Sequence, residues 1–397
     1  MIPISEALKI IKNHVGKLSV EKIGIAQCCG RVLAEEICAD MDLPPFNRSQ
    51  MDGFAVKAND TKNAPVKLKI IGESSAGTGF DGKIKTGEAV RIMTGARVPI
   101  GADAVQKVEL TMENDGFITI LETTKLQQHI INRANEITKG AKIFDKGEII
   151  TEQKIAVLAS FGYAKVKVAK KPRVAILATG SEIVEITEKP KQDQIRNSNS
   201  VMLKALAEKY ADVEVLPIVK DDIQNLKSEI KTAIETCDVL IISGGVSVGD
   251  YDFTKPALRE LGAEIFFEKV SLKPGKPTVF AKLDDKLIFG LPGNPVSVAV
   301  TFYLFVRTAL LKMQNADNCQ LKQGYAVASA KIKGAKERDC FLPVQIETDK
   351  DGKLVVESVC FSGSSNFIAF SNANALAFVP QGENYAPGDV VEIAYLP

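Results

Sequence analysis

Residues 238–254 read DVLIISGGVSVGDYDFT, and this stretch decides the fold. An apolar, β-branched run from Val239 to Ile242 breaks into a glycine-rich loop carrying serines and two carboxylates, Asp250 and Asp252. A buried strand of this kind delivers its loop to the C-terminal edge of a parallel sheet, where open α/β folds place ligands. Gly244, Gly245 and Gly249 admit positive φ without steric cost, so backbone N–H groups there can turn inward around an anion. The two aspartates add charge for a hard cation. Alone, the stretch reads equally well as an ordinary βα turn.

Two more loops keep it company. KPGKP (273–277) holds two ammonium groups on a stiff proline and glycine frame, although such a turn by itself is commonly just solvated surface. GLPGNPVS (290–297) follows a second apolar strand, KLIF, and sets Asn294 and Pro295 where an N-cap and a first helical residue belong. A helix N-terminus carries unpaired N–H groups and the positive end of the helix dipole, which suits an anion. Three such loops within about 60 residues, each beside an apolar strand, indicate a site for a phosphorylated or otherwise anionic small molecule.

Working outward, residues 172 to about 315 alternate between strand-like runs (VAILATG, VEVLPIV, DVLIIS, AEIFFEKV) and helical ones. In IQNLKSEIKTAIETC, Ile223, Leu226, Ile230 and Ile234 fall on one helical face. This order predicts a mostly parallel sheet covered on both faces. Upstream, Ser5 to Val15 reads as an amphipathic helix and GRVLAEEI (30–37) as a second, short one. Short strands separated by glycine turns then run to about residue 140, and short strands return after about residue 320. The expected fold class is a multidomain α/β protein, with a central three-layer α/β/α domain, small β domains and a discontinuous helical N-terminal domain. The expected boundaries are 1–45 with 141–171, 46–140, 172–318 and 319–397.

Composition narrows the function classes. A chain of 397 residues exceeds one ordinary core, so two to four domains are expected. Fifty Lys+Arg against 49 Asp+Glu leave no electrostatic footprint for nucleic acid or an anionic membrane. The start, MIPISEALKIIKNHV, lacks the cationic n-region of an export signal, so a cytoplasmic location is expected. Seven cysteines without CxxC spacing, two of them adjacent (Cys28 and Cys29), suit neither a disulfide framework nor a zinc site. With only His14 and His129, a Ser-His-Asp hydrolase is disfavoured.

SGGVSVGDYDFTK (243–255), LKPGKPTVF (272–280) and GLPGNPVS (290–297) resemble, in order and spacing, the molybdopterin-binding domain of the molybdopterin molybdenumtransferase family. PPFNRSQMDGFAV (44–56), RIMTGARVPIGADAVQKVE (91–109) and VAILATGSEIV (174–184) resemble its other signatures, so the likeness covers nearly the whole chain. Smaller relatives that only adenylylate molybdopterin look like the central domain alone. The resemblance implies insertion of molybdenum from molybdate into adenylylated molybdopterin, with Mg²⁺-dependent release of AMP. The dithiolene sulfurs belong to that substrate, so the protein need supply no soft ligands.

Carried over residue by residue, the resemblance implies catalytic roles for Asp52, Thr94, Glu182, Asp221 and Asp252, with Glu182, Asp221, Asp252 and Glu136 as metal ligands. It implies substrate contacts from Gly244, Gly245, Ser247, Gly249, Asp250, Lys273, Lys276, Pro292, Asn294, Pro295, Ser198, Arg338 and Ser364. Plainer readings stand beside these: Asp52 as a turn residue, Glu182 and Asp221 as helix-capping charges, Arg338 as a surface arginine. The chain departs from the family pattern where the Gly-Glu-Asp-Ile run of many members becomes Ala134-Asn135-Glu136-Ile137, and where Asp-Ser/Thr-Asn becomes Asn197-Ser198-Asn199. A homodimer is implied, in which the β insertion of one subunit closes over the central domain of the other. The molybdopterin adenylyltransferase and apo-molybdoenzymes are implied as partners. The alternatives are an adenylyltransferase and a non-catalytic scaffold built on the same module.

Overall fold

The computed structural model describes residues 1–246, 252–359, 363 and 365–397. The chain forms two compact units, one of Met1–Glu35, Lys146–Ile155 and Lys165–Pro397, the other of Glu36–Asp145 and Ala156–Ala164.

The first unit is built on a six-stranded sheet in the order Asp212–Val215, Arg173–Ala178, Val239–Ser243, Lys286–Leu291, Val279–Leu283, Glu264–Phe267. Its first four strands are parallel and its last two join antiparallel. Every side chain of Val239–Ser243 is buried, which is why that strand reads as an unbroken apolar run. Successive residues feed different cores. Val174, Ile176, Val239 and Ile241 join Ile4, Ala7 and Ile11 of the helix Ile4–His14. Ala175, Leu177, Leu240 and Ile242 pack with Leu226 and Ile230 of the helix Ile223–Thr236. Ile223 and Ile234 lie partly buried against the second core, as the helical spacing predicts.

The helix Pro295–Met313 is long and apolar enough to cross a membrane, yet 94% of it is buried inside the fold. It loosens into a π turn over Phe302–Val306. Phe302 and Phe305 are fully buried, and truncating either to alanine should cost about 3–5 kcal/mol. Beyond it, five strands close into a barrel: Gln323–Ala328, Asp339–Thr348, Leu354–Ser358, Ala375–Val379 and Val390–Tyr395. Closure comes from the pairing of Asp339–Thr348 with both Leu354–Ser358 and Ala375–Val379.

The second unit carries a six-stranded sheet in the order Ala104–Lys107, Gly53–Val56, Glu88–Ile92, Val66–Ser74, Phe117–Ile120, Thr111–Asn114. The glycine of MDGFAV is obligatory there, because a Cβ on Gly53 would lie 1.9 Å from the Gln106 carbonyl oxygen.

One expectation fails. GRVLAEEI is not a helix: Val32 bridges Ile149 and Leu33 bridges Val168, so the segment is extended. Its helix-forming residues yield to long-range pairing that buries Val32 and Leu33. The cysteines form no disulfide among the described residues, and burial pushes the Cys237 thiol up to about 11.

Candidate functional site

From Arg173–Ala178 the chain crosses to the edge strand Asp212–Val215 and then returns to Val239–Ser243 on the other side. The strand order therefore reverses between Arg173–Ala178 and Val239–Ser243, and the loops leaving their carboxyl ends splay apart into a crevice. Thr179 N–H donates to the Ser243 carbonyl at 3.0 Å, fixing the two loop starts side by side. Above them lie two adjoining cavities, of about 710 and 360 Å³. Thr179, Glu182, Gly244, Gly293 and Asn294 line both.

The smaller cavity gathers the acidic residues. Glu182, Asp221 and Asp252 all line it, together with Gly245 and Pro292. Asp221 is held by its neighbours: the Ser181 N–H donates to Oδ2 at 2.9 Å and the Thr179 hydroxyl to Oδ1 at 3.3 Å. The Asp221 N–H donates in return to Ser181 Oγ at 3.3 Å. These bonds fix the carboxylate while leaving it lone pairs for a cation. Among the described residues no three Asp, Glu, His or Cys side chains meet as a ready metal cage. Mg²⁺ is commonly held by one or two carboxylates plus phosphate oxygens and water.

The glycine loop does less than its sequence promised and more than a plain turn. Gly244 has φ +102°, and its N–H donates to the Leu291 carbonyl at 3.1 Å, so that donor is spent on the fold. A Cβ on Gly244 would sit 2.4 Å from the Thr179 carbonyl oxygen. Gly244 therefore shapes the cavity through close backbone approach. Gly245, at φ +61°, leaves 2.9 Å between an added Cβ and Thr254 Oγ1. Across the crevice Asn294 is the N-cap and Pro295 the first residue of the buried helix, as expected, and both line the larger cavity.

KPGKP is a packed turn. Pro274 and Gly275 are buried while Lys273 and Lys276 are exposed, and Pro277 lines the smaller cavity. Leu272–Lys273 adds as a short strand to Asp339–Cys340. Arg338 Nη1 donates to the Leu272 carbonyl at 3.2 Å, which brings that arginine beside the lysine frame. Ser198 opens the helix Ser198–Ala207 and lines the larger cavity. Asn197 caps that helix, accepting from the Ser200 N–H at 3.1 Å, and is only 6% exposed. A neutral amide at this buried cap avoids the desolvation cost of the aspartate in the family pattern.

In the second unit Asp52 and Thr94 meet directly. The Thr94 N–H and hydroxyl both donate to Asp52 Oδ1, at 2.6 and 2.9 Å. The N–H, and after it the hydroxyl, hold the Asp52 carboxyl below the usual carboxylate range. Glu136 belongs to this unit too, paired with Arg48 at 3.2 Å. Ser247, Gly249, Asp250 and Ser364 lie outside the described residues.

Sequence reasoning passed over Thr179, Asn199, Gly293 and Phe367. Asn199 Nδ2 donates to the Gly293 carbonyl at 2.7 Å and to Ser243 Oγ at 3.1 Å, tying the helix Ser198–Ala207 to the ends of the strands Val239–Ser243 and Lys286–Leu291. Its Oδ1 is buried without a protein partner. The Asn-Ser-Asn run was the available signal. Phe367, from the far end of the chain, gave none.

Three family models tile the chain: "MoeA N-terminal region (domain I and II)" over residues 2–162, "Probable molybdopterin binding domain" over 175–312 and "MoeA C-terminal region (domain IV)" over 325–396. A curated molybdopterin molybdenumtransferase of Staphylococcus epidermidis is 35% identical over 99% of this chain and 95% of its own length. One of Staphylococcus aureus is 36% identical over the same shares. The crystal structure of a molybdopterin biosynthesis moeA protein from Pyrococcus horikoshii matches with TM-score 0.85 and 31% identity, covering 100% of both chains. With a full-length match in sequence and in architecture, the chain belongs to the molybdopterin molybdenumtransferase family.

Proposed function

We propose that the protein inserts molybdenum from molybdate into adenylylated molybdopterin and releases AMP in a Mg²⁺-dependent step. One observation carries the reading: Glu182, Asp221 and Asp252 line a single cleft at the switch point of the sheet, beside the helix N-terminus at Asn294 and Pro295. An anionic ligand is favoured where a helix N-terminus and close main chain face it, and carboxylates there need a cation between them and the phosphates.

The residues fit that division of labour. Asp221, oriented by Ser181 and Thr179, would hold Mg²⁺ together with the phosphate oxygens, with Glu182 and Asp252 adding negative charge from the walls of the same cleft. When bound, the cation neutralises charge on the pyrophosphate and polarises the bond that releases AMP. Glu136, ion-paired to Arg48, is left as a structural group of its own unit in this account. Lys273, Lys276 and Arg338, grouped on the KPGKP frame, would attract the molybdate oxyanion as exposed positive charges, with Ser364 added by the resemblance. Asp52 and Thr94 would act from the β insertion of a partner copy in a homodimer, and light scattering in solution tests that assembly.

Calorimetry tests the reading of the site. The protein is expected to bind adenylylated molybdopterin more tightly than ATP. The reverse preference, together with adenylylation of free molybdopterin, would move the assignment to adenylyl transfer.

A further inference from the structure

We propose that Phe367 is a specificity-determining residue, stacking on the planar heterocycle of the substrate in a compartment separate from the one that takes its phosphates. The proposal rests on the reading of the cleft given above and extends it to a segment of the C-terminal region.

The two cavities differ in chemistry while sharing Thr179, Glu182, Gly244, Gly293 and Asn294, so one elongated ligand can reach both. Asp221 and Asp252 belong to the smaller alone. The larger is walled by Ile183, Pro190, Ile195 and Phe367. Arg196 and the helix start at Pro295 line its polar side, but the apolar wall itself offers a phosphate nothing. A flat, weakly polar ring gains contact on its faces and hydrogen bonds at its edge, for which Gln194 and Ser198 line the same compartment.

Phe367 is 48% exposed and Ile195 59% exposed, two large apolar side chains left in water at one cavity. Burying them under a ring is favourable, and a preset aromatic loses little freedom on stacking. Phe367 is preset. It is the first residue of the short helix Phe367–Phe370, where Asn366 accepts from the Ala369 N–H at 3.2 Å, and Phe370 packs against the core of the central sheet.

Adenine and pterin rings share this chemistry, and both occur in the proposed substrate. The chain contains no tryptophan, so Phe367→Trp installs a single fluorophore at the cavity. Its emission is titrated with AMP plus MgCl₂ and, separately, with a free pterin after correction for pterin absorbance. Tyr325→Trp, at an exposed barrel residue lining neither cavity, serves as the control. Saturable quenching by one ligand in the Phe367→Trp protein, absent in the control, is expected and names the ring. Phe367→Ala should bind that ligand about tenfold more weakly, in line with loss of base–aromatic stacking, and Phe367→Tyr should restore most of the affinity. Quenching by neither ring, or wild-type affinity in Phe367→Ala, overturns the proposal. Release of AMP by the wild type with an unchanged KM in Phe367→Ala would sink the proposal alone. No AMP release by the wild type would sink the underlying reading, and the fluorescence titration would still decide the role of Phe367.

Discussion

Gly293 and Gly244 both line the cleft but differ in what an added side chain would meet. Gly293 lines both cavities, and a Cβ built on it meets no atom within 4 Å. Gly293→Ala should therefore leave the fold intact, or stabilise it by about 0.4–1 kcal/mol through a less flexible unfolded chain. The new methyl nevertheless points into open space at the neck shared by the two compartments. If an anionic ligand approaches the main chain there, losing one charge-assisted hydrogen bond costs about 1.5–3 kcal/mol, or roughly 10- to 100-fold in Kd. Gly244→Ala should behave oppositely. Its φ of +102° and the 2.4 Å approach to the Thr179 carbonyl set an added Cβ against backbone. Backbone strain of about 1–3 kcal/mol should appear as lost stability before any loss of binding is considered. Thermal unfolding and calorimetric titration with AMP and Mg²⁺ on both variants give the comparison. Wild-type affinity in Gly293→Ala, or wild-type stability in Gly244→Ala, would refute the reasoning.

Three further outcomes are expected. Asp221→Ala and Asp252→Ala should fold normally and lose Mg²⁺-dependent AMP release by about 10²-fold or more, read in a single-turnover assay. Ala134 has φ +62°, so Ala134→Gly relieves roughly 1–2 kcal/mol of left-handed strain against about 0.5–1 kcal/mol of added chain entropy. A net gain of up to about 1 kcal/mol should raise the unfolding temperature, and a lower midpoint would contradict the strain. The Asp52 carboxyl is depressed by the Thr94 N–H and hydroxyl, so the folded state favours the carboxylate. That contribution is present above about pH 4 and is lost as pH falls below it. Thr94→Ala should move the Asp52 titration, followed by NMR, upward toward the ordinary carboxylate value.

Much of the central fold was legible because its signals are local. Val239–Ser243 and residues 174–178 are buried on both faces and read as apolar runs, while Leu226 and Ile230 kept helical spacing. GRVLAEEI misled because propensity is local, whereas the bridges of Val32 to Ile149 and Leu33 to Val168 span long stretches of chain. Barrel closure through Asp339–Thr348 was hidden for the same reason. In the site, glycines and carboxylates announced themselves by type. Their hydrogen bonding did not: no spacing rule says that the Gly244 N–H is committed to Leu291. Asn199, which binds Ser243 and Gly293 with one amide, was marked only by its Asn-Ser-Asn run, and Phe367, reaching the cavity from a distant segment, carried no periodic or compositional mark.

The decisive measurement is incubation of the purified protein with adenylylated molybdopterin, Mg²⁺ and molybdate, followed by addition of the product to a molybdoenzyme apoprotein. Stoichiometric AMP release that requires Mg²⁺ is expected, with molybdate-dependent recovery of molybdoenzyme activity. Intact adenylate after incubation, or AMP release that leaves the apoprotein inactive, would contradict the proposed function.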